Sequence, residues 1–234
     1  MLHNTFVQIS DCHIDDNPQL MGVDTHLNLN RVINKLSDTK FDNLIISGDL
    51  AHSGTIKSYQ ILKKALKKIN SNIWVIPGNH DNIENLNTIF SKNMLDKLLL
   101  GKWEIITIDS VQENKTSGIL TKKNLEKLDL DLSTSKAQYN LIILHHPIVP
   151  MNSNWDDSLS LENPEELFTL ISKHPKIRAV LFGHAHQMSE FKQNNLQIIS
   201  CPSTAIQFDE EERVGFNSYT LHDNGKLEYY TQWI

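Results

Sequence analysis

The run Ile73-Trp74-Val75-Ile76-Pro77-Gly78-Asn79-His80-Asp81 decides how the rest of the chain is read. Its first four residues favour extended backbone and predict a strand. The next five pack an amide oxygen, an imidazole and a carboxylate into one turn. An amide oxygen is a hard, neutral metal ligand, and a histidine with its own aspartate is the acid–base pairing expected beside a metal. A capped helix start with Asp81 as N-cap accounts for the same residues structurally, and the two readings are compatible.

Outward from this turn, short β-rich runs alternate with segments of helical period, the mark of an α/β fold with layered sheets. Strands are predicted at 6–9, 43–47, 73–76, 104–108, 140–144 and 179–182. A helix capped by Asp24 carries Leu29, Val32, Ile33 and Leu36 on one face. A second carries Ile56, Tyr59, Leu62, Leu66 and Ile69, with Lys63, Lys64, Lys67 and Lys68 on its solvated side. Asn163, Pro164 and Glu166 form a helix start with the glutamate placed for a capping box. Segments 197–200, 218–222 and 227–232 read as antiparallel strands, the last two joined by the turn Asp223-Asn224-Gly225. The longest irregular stretch is 149–162, and a loop of that length is usually functional.

Composition narrows the function class. The 234 residues suffice for one sizeable core and are read as a single domain, 1–234. With 22 Lys plus Arg against 28 Asp plus Glu, the net charge of −6 gives no general attraction to phosphate backbones or anionic membranes. The two cysteines, Cys12 and Cys201, are too few for a disulfide scaffold and wrongly spaced for a zinc knuckle. No apolar run approaches the ~18 residues of a membrane span, and no signal-peptide core forms before Asp11. A cytoplasmic protein is expected.

Four more clusters follow predicted strands, at the sheet edge where α/β folds bind ligands. They are Asp11-Cys12-His13, Gly48-Asp49, His145-His146-Pro147 and Gly183-His184-Ala185-His186. On extended chain, residues two apart face the same way, so Asp11 and His13 are expected to grip one ion while Cys12 faces away, and His184 and His186 to point together. His13, His80, His145, His184 and His186 are five of the 11 histidines. Their joint placement at strand ends has little structural explanation.

These five motifs, in this order and spacing, resemble those of the calcineurin-like metallophosphoesterases. Gly22-Val23-Asp24-Thr25, the stretch from Gly54 through Ser58-Tyr59, Asn163 through Leu167, and Pro202-Ser203-Thr204-Ala205-Ile206-Gln207-Phe208 extend the likeness to the bacterial class III cyclic-AMP phosphodiesterases. The resemblance implies a four-layer α/β/β/α sandwich of two mixed sheets with a two-metal site at one edge. Asp11, His13, Asp49 and His186 would hold one metal, and Asp49, Asn79, His145 and His184 the other, with Asp49 bridging. His145 is chosen over His146 because the family ligand stands two residues before the proline. His13, Asp49, Asn79, His80 and His186 would also contact substrate.

Hydrolysis of 3′,5′-cyclic AMP to 5′-AMP is the implied reaction, a hydroxide bridging the metals as nucleophile and His80 as general acid, with Asp81 orienting the second nitrogen of His80 or favouring its charge. The thiolate-free donor set suits Mn²⁺, Fe²⁺, Zn²⁺ or Co²⁺, and the resemblance favours Mn²⁺ or Fe²⁺. The implied partner is a small cyclic nucleotide, with Trp155, Gln207 and Phe208 as candidate contacts to its base. The same ligands would serve a phosphoesterase of other scope, such as one acting on 2′,3′-cyclic nucleotides, phosphomonoesters or phospholipid head groups. A nuclease would want a basic groove, whereas Asp209-Glu210-Glu211-Glu212 follows the specificity segment; a non-catalytic scaffold of this fold should have lost ligands, and none is missing.

Overall fold

The computed structural model describes residues 4–234, with the side chains of 154–156 outside that description. Two mixed sheets pack face to face between helical layers. The first runs β11-β10-β1-β2-β3, built from β1 (Asn4–Ile9), β2 (Asn43–Ser47), β3 (Asn72–Ile76), β10 (Gly215–Leu221) and β11 (Leu227–Trp233). The second runs β4-β5-β6-β7-β9-β8, from β4 (Lys97–Leu100), β5 (Trp103–Thr107), β6 (Tyr139–Ile143), β7 (Ile177–Phe182), β8 (Glu190–Gln193) and β9 (Leu196–Ser200).

The period-two alternation of the strands splits their side chains between two cores. Phe6, Ile45 and Ile76 of the first sheet meet Trp103, Ile105, Leu141 and Leu181 of the second in the central layer. Val7, Ile9, Leu44, Ile46 and Val75 face outward onto α1 (Thr25–Ser37), α2 (Ile56–Leu66) and α3 (Ile83–Phe90). Ile106, Ile142, Val180 and Ile198 face α4 (Lys122–Thr134) and α6 (Pro164–Lys173) on the other side. This is the expected α/β/β/α sandwich. The helix starts carry their own signals: Asp24 accepts from the Leu27 N–H, and Thr55 from the Ser58 N–H. Among the described residues no helix is long and apolar enough to cross a membrane.

Several local expectations are corrected. Segment 149–162 is not irregular throughout, because α5 (Asn154–Leu159) lies inside it. Strand β9 is antiparallel to β8 but parallel to β7, so of the three segments expected to be antiparallel only the two of the 215–233 hairpin have no parallel neighbour. Asn82, not Asp81, caps α3 by accepting from the Asn85 N–H. At α6, Glu166 accepts from the Asn163 side-chain amide rather than its backbone, while the Asn163 amide oxygen accepts from the Leu120 N–H. The cap residue there ties two segments together instead of closing a capping box.

Strands β1, β2 and β3 are mutually parallel, as are β5, β6, β7 and β9, so their carboxyl ends gather at one edge. The approach there is close enough to require glycine. At Gly48 φ is +100°, and a Cβ would stand 2.2 Å from His145 Nδ1. Gly48→Ala is therefore expected to lower stability by about 2 kcal/mol or more, from backbone strain and displacement of His145. An unchanged urea midpoint would contradict that close approach.

Candidate metal centre

Each expected site residue stands just beyond a strand. Asp11 and His13 follow β1, Asp49 follows β2, and Asn79 and His80 follow β3, all on the first sheet. His145 follows β6, and His184 and His186 follow β7, on the second. The structure brings all of these to one place, where the two sheets meet. Asp11, His13, Asp49, His145, His184 and His186 are at most 8% exposed. Asn79 and His80 are half-buried and line the cleft that opens onto them, together with Met21, Thr116, Leu159 and Phe208.

The donor atoms form two groups that share one carboxylate. His13 Nε2 and His186 Nε2 face each other at 2.9 Å, with Asp11 Oδ1 3.5 Å from His186 Nε2. On the other side, Asn79 Oδ1 lies 3.1 Å from His145 Nε2 and 2.9 Å from His184 Nδ1. Between the groups, Asp49 Oδ2 is 3.6 Å from His13 Nε2 and 3.5 Å from His145 Nε2. Its other oxygen, Oδ1, accepts from the His80 backbone N–H at 2.9 Å. Ligands about 2.1 Å from a common ion stand roughly 3–3.5 Å from one another, so these spacings suit cations.

The surroundings hold the lone pairs inward. His145 Nδ1–H donates to the Ser47 carbonyl at 2.9 Å, and His186 Nδ1–H to the Ile206 carbonyl at 2.8 Å, leaving each Nε2 bare. His146 faces away, with Nδ1 against Ser110 Oγ at 2.8 Å and Nε2 against the Thr116 carbonyl at 3.0 Å. The His184 N–H donates to the Asp11 carboxylate, and Ser203 Oγ donates to the Asp11 carbonyl.

The electrostatics call for positive charge. Burial opposes ionisation of Asp11 and Asp49, yet the neighbouring histidines prevail; Asp11 is lowered to about 2, chiefly by His186, and Asp49 well below the ordinary carboxylate range, chiefly by His145. Conversely, Asp49 overcomes burial to raise His145 to about 9, while burial depresses His13 and His184 to about 3. Among the described residues, neither carboxylate has a lysine or arginine partner. Two buried carboxylates this close to five imidazoles and an amide oxygen make a donor set that fits a pair of cations, which would take the place of the proton on His145 as their compensating charge.

The backbone carries a second signature. Among the described residues, the non-glycine positions with positive φ are Asn114, Asn152 and Asn194, plus Asp11, His13, Asp49, His184 and His186. Asparagine, aspartate and histidine enter the left-handed region more readily than other side chains, yet five such positions in one cluster, at up to about 1–3 kcal/mol each, gather strain of the kind that collects at functional sites. The expectation of extended chain at Asp11–His13 and His184–His186 is thereby corrected. The two ligands of Gly183-His184-Ala185-His186 do not point together: His184 joins Asn79 and His145, and His186 joins His13.

Two further expectations change. Asp81 does not orient His80; its carboxylate accepts from the Leu50, Ala51 and Gly78 N–H groups and from Tyr59 Oη, clasping the Asp49 loop to the Asn79 turn. Burial and Asp49 raise its pKa to about 6. His80 Nδ1–H donates instead to the His52 carbonyl at 3.0 Å. Gln207 is buried and bonds both main-chain groups of Ser203, so it shapes its own turn. Phe208 stacks on His186, centroids 4.0 Å apart and planes 3° from parallel, and is 41% exposed. The Trp155 side chain lies outside the described residues. Sequence reasoning missed His52, whose ring meets His13 and His80; its only signal was an imidazole three residues beyond Asp49.

Such an edge of paired His/Asp clusters on an α/β/β/α sandwich defines a metal-dependent phosphoesterase. The sequence profile of the calcineurin-like phosphoesterases matches residues 5–188, and the chain belongs to that family. It is 59% identical, over the whole length of both chains, to a protein of Vesicomyosocius okutanii titled "Probable cyclic nucleotide phosphodiesterase". It is 28% identical to the 3′,5′-cyclic adenosine monophosphate phosphodiesterase CpdA of Pseudomonas aeruginosa, with 95% of this chain and 87% of that one covered. In fold it is similar to a dimetal phosphatase from Danio rerio, with a TM-score of 0.77 at 14% identity over 97% of this chain and 98% of that one. The family and the paired clusters together imply a two-metal site.

Metal removal should expose the cost of the buried anions. Chelation is expected to lower the unfolding temperature and Mn²⁺ to restore it, with about 2.7 kcal/mol gained at a hundredfold excess over the dissociation constant. Scanning calorimetry showing the same transition with and without added Mn²⁺ would contradict cation compensation.

Proposed function

We propose that the chain hydrolyses 3′,5′-cyclic AMP to 5′-AMP, with Asp11, His13, Asp49 and His186 holding one divalent ion and Asp49, Asn79, His145 and His184 another, Mn²⁺ or Fe²⁺ being the first choices. The observation that carries this reading is Asp49 Oδ2, equidistant within 0.1 Å from His13 Nε2 and His145 Nε2 of the two groups. The names of the relatives support a cyclic nucleotide, and that of the CpdA proteins cyclic AMP. Because both sheets supply ligands, residues 1–234 are taken as one domain.

When bound, the two ions would supply a water of lowered pKa and neutralise the phosphoryl oxygens. The remaining work falls to the chain. A water oxygen attacks phosphorus and gives up a proton to solvent, the bond from phosphorus to O3′ breaks, and O3′ takes a proton from an acid because an alkoxide is a poor leaving group. His80 faces the cleft with Nδ1–H held by the His52 carbonyl, so a protonated ring presents Nε2–H to the substrate. Phe208, at the cleft mouth, suits a stacked base. The cleft is small and lacks lysine or arginine among its described lining residues, which favours a compact monoanion over a nucleic acid.

His80→Ala is expected to keep its metals while hydrolysis of alkyl phosphodiesters falls by roughly 10²–10⁴-fold. Esters with p-nitrophenolate as leaving group need less protonation and should lose less. Equal losses on both would assign His80 to positioning rather than proton transfer. For the base, Phe208→Ala is expected to raise KM for cyclic AMP and to spare bis(p-nitrophenyl) phosphate; unchanged cyclic AMP kinetics would move the nucleoside contact elsewhere.

A further inference from the structure

The histidine that no motif brought forward sits between two residues of the site. His52 Nδ1 lies 3.3 Å from His13 Nδ1, and the His52 carbonyl accepts from His80 Nδ1–H at 3.0 Å. The three rings form one cluster: His13 and His80 stand edge to face at 4.8 Å, and His52 leans over His80 at 4.6 Å. His145 and His186 each give their outer Nδ1–H to a backbone carbonyl. His13 differs, because the group facing its outer nitrogen is an imidazole.

A histidine can offer Nε2 to a cation only if its proton is on Nδ1. For His13 that proton must point at His52 Nδ1, which therefore acts as acceptor and carries its own proton on Nε2. We infer that His52 is a positioning residue of the metal centre: its ring holds His13 in the tautomer that presents Nε2 to the ion shared with His186, and its carbonyl aims His80. This inference rests on the two-metal reading above. Its ring and its main chain thus couple one metal ligand to the proposed general acid through a single residue on the loop after β2. Replacing an outer partner of this kind costs a metal site about 10–100-fold in affinity.

The side-chain half of the role is tested by a pair of variants. His52→Asn keeps an acceptor near the position of Nδ1, whereas His52→Leu removes it and fills similar space. Metal-depleted protein titrated with Mn²⁺ in a calorimeter gives the affinity of each site, and circular dichroism of the same metal-depleted samples checks the fold. For His52→Leu, one of two Mn²⁺ sites is expected to weaken about 10–100-fold and the other to stay unchanged, with His52→Asn close to wild type. Equal affinities in wild type and His52→Leu would overturn the positioning role while leaving the two-metal reading intact. His52→Asn as weak as His52→Leu would overturn acceptance at Nδ1. A third Mn²⁺ lost in both variants would make His52 itself a ligand, with His13 and His80 as its neighbours within 4.8 Å. No Mn²⁺ bound by wild type would overturn the two-metal reading and this inference together.

Discussion

The Asp49 carboxylate is the constraint around which the site is arranged. It is 2% exposed, and it lies where the first sheet meets the second. A buried anion is tolerated only when its oxygens are engaged on every side. One oxygen takes the His80 N–H; the other faces His13 from its own sheet and His145 from the opposite one. Packing of the two sheets therefore completes the His/Asp cluster, and neither sheet has it alone. Gly48 and Gly78 on either side let His145 and the Asn79 turn come this close, since a Cβ at Gly78 would stand 2.2 Å from Asp49 Oδ1.

The segment after β9 serves the same centre from behind. Thr204 N–H donates to the Ser10 carbonyl, Ser203 Oγ to the Asp11 carbonyl, and Phe208 N–H to the His186 carbonyl. Residues 203–208 thus bind the loop after β1 to the loop after β7 and place Phe208 over His186. A segment bonded to both loops in this way joins Phe208 mechanically to the His/Asp cluster. Asp81 plays the corresponding part on the other side, where its carboxylate gathers three backbone N–H groups and the Tyr59 hydroxyl.

Much of this was legible in the sequence, for identifiable reasons. The strands with buried, β-branched runs, such as Asn43–Ser47, announce themselves by composition, and the amphipathic faces of α1 and α2 by period. Short edge strands do not: Lys97–Leu100 and Glu190–Gln193 are four residues long and half exposed, so neither run length nor alternation marks them. The five motifs pointed to the residues that the structure brings together at the sheet edge, but not to their backbone. Left-handed φ at Asp11, His13, Asp49, His184 and His186 is imposed by tertiary contacts and has no local signal, which is why period-two reasoning sent His184 and His186 the same way. Asp81 was misread and His52 missed because their hydrogen bonds cross between loops far apart in sequence.

The sharing of one carboxylate by two ions is tested most directly by counting metal. Elemental analysis of Mn²⁺-reconstituted wild type, Asp49→Ala and Asn79→Ala, at equal protein concentration and after desalting, separates the cases. Two ions per chain are expected for wild type, one for Asn79→Ala, and fewer than one for Asp49→Ala, because Asp49 Oδ2 lies within 3.6 Å of a donor in each group. A single ion in wild type, or two retained by Asp49→Ala, would contradict a centre organised on that carboxylate.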